Sequence, residues 1–243
     1  MINENEVKRR YADALKNAKT SANTECCSPG NEIFVEDMIT ESISEQISFG
    51  CVRLEDILKK HIKKGMTVID FGSGPGHDLF IAAELVGDSG RAIGIDFTDE
   101  MINEAKKSAS NKGLTNVELI KSNIENINLP DNSADIIISN CVINLATNKE
   151  SVFKEAYRLL KNGGVLIDAD VISSKPLPKE IVNDPKLWCS CIGGALTKED
   201  HEQILQKIGF KNIQVEYTSK EDITFEKTDL GINSAIIWAQ KTV

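Results

Sequence analysis

The segment that most restricts the fold is a single glycine-rich turn. Thr67-Val68-Ile69-Asp70-Phe71 is a short apolar run that stops at Gly72-Ser73-Gly74-Pro75-Gly76, and a helical pattern follows over residues 78–86. An apolar run of that length bounded by glycine reads as a buried strand, and the change of period beyond it reads as a helix. The pattern then recurs. Arg91–Asp96 reads as a second strand and residues 100–112 as a second helix. Val117–Lys121, residues 134–139 and residues 165–169 read as further strands, with residues 152–160 as the helix before the last of them. Strands alternating with helices predict a parallel sheet covered on both faces. The C-terminal end differs: residues 212–217 and 234–238 are strand-like with no helical pattern between them, which predicts an antiparallel pair near the sheet edge. The expected fold is a doubly wound α/β domain with a seven-stranded, mostly parallel sheet.

The first quarter of the chain is of another character. Residues 6–19 have helical periodicity, with Val7, Tyr11, Ala14 and Leu15 on one side. Residues 21–31 read as a loop carrying Cys26 and Cys27, residues 36–47 as another helix, and residues 54–63 as the helix entering the core. The predicted organisation is a helical, cysteine-bearing extension over 1–50 and the α/β domain over 51–243. A chain of 243 residues is long enough for one such domain with extensions. With 41% apolar and 27% charged residues it is too close to the globular average for disorder to be the main state. No apolar run is long enough to cross a bilayer, and the first ten residues are polar and mixed in charge, so neither a membrane span nor a secretory leader is expected. The expected location is the cytoplasm. A net charge of −9 argues against nucleic acid as a partner.

The glycine turn is also the candidate ligand site. Glycine lets the backbone turn tightly and approach a ligand closely, and ligands of open parallel sheets bind outside the carboxyl ends of the strands. This directs attention to Gly72, Gly74 and Gly76. Asp70 ends the first strand, where it suits a ligand's ammonium group. Asp96 ends the second, the place for a carboxylate that binds two ribose hydroxyls. The ordinary alternative for Asp96 is a helix cap or turn residue. Gly-Ser-Gly-Pro-Gly is not the GxGxxG spacing of pyrophosphate binders, and a carboxylate just before the loop repels a pyrophosphate. The sign of that charge favours S-adenosylmethionine over NAD. Asn123 and Ile124, after the third strand, are placed to bond the adenine and pack on its face, or to form an ordinary strand-end turn. Phe97 or Thr98 would flank its other side, and Asn140, ending the fourth strand, faces the same cleft.

Six cysteines, at 26, 27, 51, 141, 189 and 191, include no CxxC pair, and HExxH is absent, so the common zinc signatures are missing. In a cytosolic chain they are expected to be reduced. His61, His77 and His201 read as surface or helix residues.

The set Asp70-Phe-Gly-Ser-Gly-Pro-Gly, Gly94-Ile-Asp96 and Lys161-Asn-Gly-Gly resembles the class I methyltransferase superfamily, over roughly residues 50–243. Within it, Ile138-Ser139-Asn140-Cys141-Val142-Ile143-Asn144-Leu145 resembles the fourth-strand motif of arsenite methyltransferases. Val86-Gly87-Asp88-Ser89-Gly90 followed by Ile93-Gly94-Ile95-Asp96-Phe97-Thr98-Asp99-Glu100-Met101 is similar to their second-strand region. Cys191-Ile192-Gly193-Gly194-Ala195-Leu196, Tyr11 and the Cys26-Cys27 pair also fit that family. The resemblance implies a Rossmann-like fold with an antiparallel C-terminal edge strand and a helical N-terminal extension. It adds Tyr11 and Met101 to the cofactor contacts. It also implies thiolate capture of trivalent arsenic by Cys26 or Cys27 together with Cys51, Cys141 and Cys191, the last three forming the metalloid site. Cys189 has no counterpart.

Thiolates suit arsenic because soft ligands select soft ions. Arsenic held by three sulfurs keeps a lone pair that attacks a sulfonium methyl directly, so no general base is required. The enzyme's contribution is then positioning and exclusion of water. Methylation formally oxidises the arsenic, and nearby thiols such as Cys26 or Cys27 with Cys51 return electrons by forming a disulfide, which a thiol reductant, glutathione or a thioredoxin-like protein, then reduces. The alternative is methylation of a small organic metabolite, such as a quinone or lipid precursor, with the cysteines as buried packing. A third reading, a metalloid-sequestering binder, is opposed by Asp70 and Asp96.

Overall fold

The computed structural model describes residues 7–13, 15, 52–220, 224–225 and 228–242. Cys26, Cys27 and Cys51, the loop expected over 21–31 and the helix expected over 36–47 lie outside the described residues, as does most of the 1–50 extension. From that extension a helix over residues 7–13 (α1) is seen.

The core begins with α2 (Glu55–His61), β1 (Thr67–Phe71), α3 (His77–Val86), β2 (Arg91–Asp96), α4 (Asp99–Asn111), β3 (Val117–Lys121) and β4 (Ala134–Asn140). A 3-10 turn at Ile143–Leu145 leads to α5 (Lys149–Leu159) and the long β5 (Leu160–Ser173). Then come α6 (Lys179–Val182), α7 (Pro185–Cys189), α8 (Lys198–Ile208), β6 (Lys211–Lys220), the small pair β7 (Thr224–Phe225) and β8 (Thr228–Asp229), and β9 (Ile232–Gln240). The main sheet has seven strands in the order β3-β2-β1-β4-β5-β9-β6. Strands β1 to β5 pair in parallel, and β9 runs antiparallel to both β5 and β6. The doubly wound, mostly parallel sheet with an antiparallel C-terminal pair is therefore present, with β9 one strand in from the edge that β6 forms.

Strand periodicity explains the layering. Ile167, Ala169 and Ile236 face α2 and α3 with Val68 and Ile138, whereas Leu166, Ile172, Ile137 and Ile237 face α5 with Phe153 and Phe210. Central strands buried on both faces are nearly continuous apolar runs, and each fully buried Leu or Ile contributes about 1.5–3 kcal/mol. Against that rule β5 carries two carboxylates, Asp168 and Asp170, both fully buried.

The chain winds outward from β1 to β3 and then returns to β4 beside β1, so the order reverses between β1 and β4. That reversal opens a crevice at the carboxyl ends of the strands. Residues 70–76, Asp96 and Asn140 all meet there.

Three helix starts are built by side chains. Asn148 caps α5 by accepting from the backbone N–H of Ser151 (3.1 Å). Asp184 caps α7 by accepting from the backbone N–H groups of Lys186 and Leu187, with Pro185 at the first helical position. Thr197 and Asp200 form a reciprocal capping box on α8. No helix among the described residues is long and apolar enough to cross a membrane.

Candidate active site

The cleft, about 490 Å³ including the part open to solvent, is lined by Gly72, Asp96, Phe97, residues 122–125, Val142, Leu145, Ala146 and, from α1, Val7. Its floor is the glycine turn. Ser73 N–H donates to the Ile95 carbonyl (2.9 Å) and Gly74 N–H to Asp96 Oδ2 (3.0 Å). Gly72 has φ +68°, and a Cβ there would lie 2.5 Å from a methyl of Val142, so the side chain two residues past β4 seats directly on the turn.

Asp96 is held on both oxygens. Its Oδ1 accepts from Thr98 N–H (2.9 Å) and Thr98 Oγ1 (2.6 Å). These local bonds make Asp96 a turn residue and fix its carboxylate at the cleft wall. Thr98 is buried against Asp96 and acts by orienting it. Phe97 lines the cleft with the Lys8 ammonium 5.0 Å from its ring centre. Asn123 and Ile124 line it too, and Asn123 Oδ1 accepts from Glu125 N–H (2.9 Å). Met101 is buried on α4 and is not a lining residue. Tyr11 is not a lining residue; it packs against the apolar cluster around Cys141 and Cys191 and donates from its hydroxyl to the Cys189 carbonyl (3.4 Å).

Asp70 is buried behind the turn. Burial, with Asp78 and Asp96 nearby, pushes its pKa well above the usual carboxylate range. Asp78 in the first turn of α3 is raised by burial, and Asp96 likewise. Three buried carboxylates, two of them raising the third, fit a cationic ligand, since an ammonium or sulfonium relieves the repulsion on Asp70. Asp78 was missed by the sequence reading because an acid in a helix's first turn is ordinary. Its tie to the site is tertiary: Asn140 Nδ2 donates both to Asp78 Oδ2 and to the Val52 carbonyl, each at 2.9 Å. Asn140 therefore joins the fourth strand to α3 and to the segment preceding α2.

On the other side of Val142 lies a second cluster. The Sγ atoms of Cys141 and Cys191 and a carboxylate oxygen of Asp170 all lie within 4.8 Å of one another, and all three residues are buried. Cys191 Sγ also contacts the Cys141 carbonyl at 3.1 Å. Cys141 is held in a disulfide whose partner is not among the described residues. Both cysteines sit in the left-handed region, Cys141 at φ 57° and Cys191 at φ 63°. The other two non-glycine residues of that kind among the described residues are asparagines, which tolerate it. Such backbone costs about 1–3 kcal/mol and persists where surrounding structure enforces it. Here the enforcing bonds are Cys141 N–H to the Ala169 carbonyl (2.8 Å) and Cys191 N–H to the Trp188 carbonyl (3.0 Å). Cys189 is buried nearby but is not in the cluster.

Asp170 is the cluster's most firmly held member. Its Oδ2 accepts from Asn144 N–H (3.0 Å), and its Oδ1 from Asn144 Nδ2 (2.8 Å) and Val171 N–H (2.8 Å). Burial pushes its pKa up to about 7, restrained by those donors and by the Lys149 ammonium. Lys149 lies with its ammonium 4.8 Å from the Trp188 ring centre and 3.1 Å from the Ala146 carbonyl. Burial lowers its pKa to about 8 against the opposing pull of Asp170 and Cys191. Trp188 in turn donates from Nε1 to the Leu145 carbonyl (3.1 Å). The glycines of the Cys191 motif let this layer close, since a Cβ at Gly194 would meet the Asn144 carbonyl oxygen. Neither Asp170 nor Lys149 was singled out from sequence. The available signal was the acid placed two residues after Asp168 in an otherwise apolar strand, where buried charges are rare unless paired.

Of the three histidines, His61 stacks on Trp238 (4.5 Å between ring centres) and His77 lies 3.9 Å from Asp78. His201 is fully buried, its Nδ1 donating to the Thr197 carbonyl at 3.0 Å.

A family model described as a methyltransferase domain matches residues 62–233. The chain belongs to that methyltransferase-domain family. Among curated members it is 35% identical over 214 residues to the arsenite methyltransferase of Aquipseudomonas alcaligenes, covering 84% of this chain and 61% of that one. It is 39% identical over 151 residues to the arsenite methyltransferase of Halobacterium salinarum, covering 62% and 39%. The chain thus spans about two fifths to three fifths of the length of these methyltransferases. Among solved structures it is similar to the arsenic(III) S-adenosylmethionine methyltransferase of Chlamydomonas reinhardtii, with a TM-score of 0.67 at 29% identity over 84% of this chain and 71% of that one.

Proposed function

We propose that this methyltransferase transfers a methyl group from S-adenosylmethionine to trivalent arsenic held by cysteine thiolates. One observation carries the reading: Cys141 and Cys191, fifty residues apart in sequence, bring their sulfurs together one residue away from the side chain that seats on the glycine turn. Two sulfurs gathered beside a donor site suit a soft, thiophilic acceptor. The kinship with arsenite methyltransferases points the same way.

S-adenosylmethionine, when bound, supplies the electrophilic methyl. The chain's residues do the rest. Asp96, oriented by Thr98 and Gly74, offers its carboxylate to the ribose hydroxyls, while Asp70 and Asp78 receive the ammonium end. Asn123, Ile124 and Phe97 enclose the adenine. Helix α1, which lines the cleft through Val7 and is tied to the Cys189 carbonyl through Tyr11, helps to exclude water. Cys141 and Cys191 present arsenic with its lone pair toward the cleft, and the positioning, with no proton to remove, lowers the barrier. In this reading Cys51 and one of Cys26 and Cys27 complete the thiol set.

Methyl transfer takes arsenic up by two in oxidation state, and two cysteine thiols that become a disulfide return the two electrons. The disulfide on Cys141 belongs to the oxidised end of that cycle, and a thiol such as glutathione or thioredoxin reopens the seat. The deciding experiment is methylation of arsenite by the purified chain with S-adenosylmethionine and a thiol. Wild type is expected to form methylated arsenic, and Cys141→Ser and Cys191→Ser to bind S-adenosylmethionine without doing so. Undiminished arsenite methylation in both variants would end the proposal.

A further inference from the structure

The cluster that gathers two sulfurs also contains an oxygen, and arsenic chemistry gives it a task. Arsenite in neutral water is As(OH)3. Two cysteine thiols displace two hydroxyls as water, each thiol proton leaving with a hydroxide, and the arsenic stays trivalent. The product keeps one As–OH bond. Its hydroxyl is then buried, because Cys141, Cys191 and Asp170 are 4%, 2% and 0% exposed. A buried hydroxyl without an acceptor is costly.

We propose that Asp170 accepts the hydrogen bond of the hydroxyl that arsenic retains when Cys141 and Cys191 hold it, making this seat selective for inorganic arsenite over arsenicals whose third substituent is carbon. The inference rests on the arsenic reading above and deepens it. It concerns the stage at which two thiolates hold the arsenic, before a third displaces the last hydroxyl.

The geometry fits. An atom bonded to both sulfurs lies within one covalent bond and one hydrogen bond of the carboxylate, since all three ligand atoms are within 4.8 Å of one another. A carboxylate offers about four lone-pair sites. Oδ1 takes two N–H donors, and Oδ2 takes one, from Asn144. Oδ2 keeps a lone pair for the substrate. The three donors also fix the carboxylate on β5 and on the turn after Cys141, so it does not have to reorganise when arsenic arrives. Lys149 sits beyond salt-bridge reach, covered by Trp188, and contributes charge without occupying that lone pair.

The test compares arsenite with methylarsonous acid, which loses both hydroxyls to two thiols and has none left to donate. The protein is reduced with a phosphine, because a dithiol would chelate the arsenic, and each arsenical is titrated against tryptophan fluorescence, reported by Trp188. Wild type is expected to bind both. Asp170→Asn is expected to bind arsenite roughly 10–100-fold more weakly, the range for one lost hydrogen bond to a charged group, with methylarsonous acid changed by less than about threefold. Asn144→Ala, which removes one of the three donors, should show the same preference more weakly and decides the matter if Asp170→Asn does not fold. Equal loss for both arsenicals, or no loss for either, overturns the role of Asp170 and leaves the arsenic reading standing. A wild-type protein that binds neither arsenical takes both down together.

Discussion

The two halves of the site are made in different ways. The cofactor half is assembled largely by neighbours in sequence: the Asp96–Thr98 pair after β2 and the short turn after β3 organise their own polar groups through bonds spanning a few residues, and the turn after β1 leans on the adjacent β2 through Ser73 and Gly74. The thiol half is assembled across the chain. Cys141 follows β4, Asp170 belongs to β5, Lys149 to α5, and Cys191 follows α7. Its two cysteines also hold backbone angles that only their surroundings maintain. Locally built sites depend on a strand and a turn. A site built at a distance depends on the whole fold and on the redox state of its sulfurs.

That contrast can be broken most severely at the sulfurs. Cys141→Ser and Cys191→Ser should each lower arsenite methylation about a thousandfold or more, as expected when a reactant loses its positioning, while S-adenosylmethionine affinity from calorimetry stays within about threefold. A parallel collapse of cofactor affinity would show that the halves are one unit. Next comes acid. Burial lowers the pKa of His201 to about 4 from an unfolded value near 6.5, so between those values the unfolded chain binds the extra proton and stability falls as pH drops. The loss amounts to about 3 kcal/mol across the window. His201 bonds Thr197, just past the Cys191 loop, so hydrogen exchange there should rise in acid before exchange in the glycine turn. Urea titrations at several pH values should give a shallower slope for His201→Gln.

The cofactor half is probed more gently. Asp96→Ala should weaken S-adenosylmethionine binding about 10–100-fold, since charge-assisted bonds to the ribose are lost, with arsenite binding measured by fluorescence unchanged. Thr98→Val, which removes only the 2.6 Å bond that orients Asp96, should cost about tenfold or less. Because Asp70, Asp78 and Asp96 are all raised, cofactor affinity should decline on acidification at a higher pH than an ordinary carboxylate pair would produce.

The same contrast decides what could be read beforehand. Strands β1 and β2 lie where the apolar runs end in glycine or aspartate and β3 where one ends in Ser122-Asn123, and their bounds match the sequence reading because period and punctuation are local. β5 begins at Leu160 instead of Val165, since pairing with β4 across a register shift carries Lys161 to Gly164 into the strand. α8 escaped notice although Thr197 and Asp200 announce its start. Asn140 was expected at the cleft, and its bonds to Asp78 and Val52 depend on elements 62 and 88 residues away, which no window sees. Of the two cysteines near residue 190, Cys191 joins Cys141 in the cluster and Cys189 does not, a distinction carried by the resemblance of the Cys191 motif, whereas the left-handed backbone at Cys191 has no sequence signature.

Val142 and Cys141 are consecutive, yet one side chain rests on the glycine turn and the other belongs to the cluster of Cys191 and Asp170. On the proposed reading, the span from methyl source to methyl sink is therefore a length written into one dipeptide, like a fixed gauge between rails. Adapting such a catalyst to a bulkier acceptor would mean re-cutting that gauge at residues 141 and 142, and enlarging the mouth alone would leave the two reactants at the old spacing.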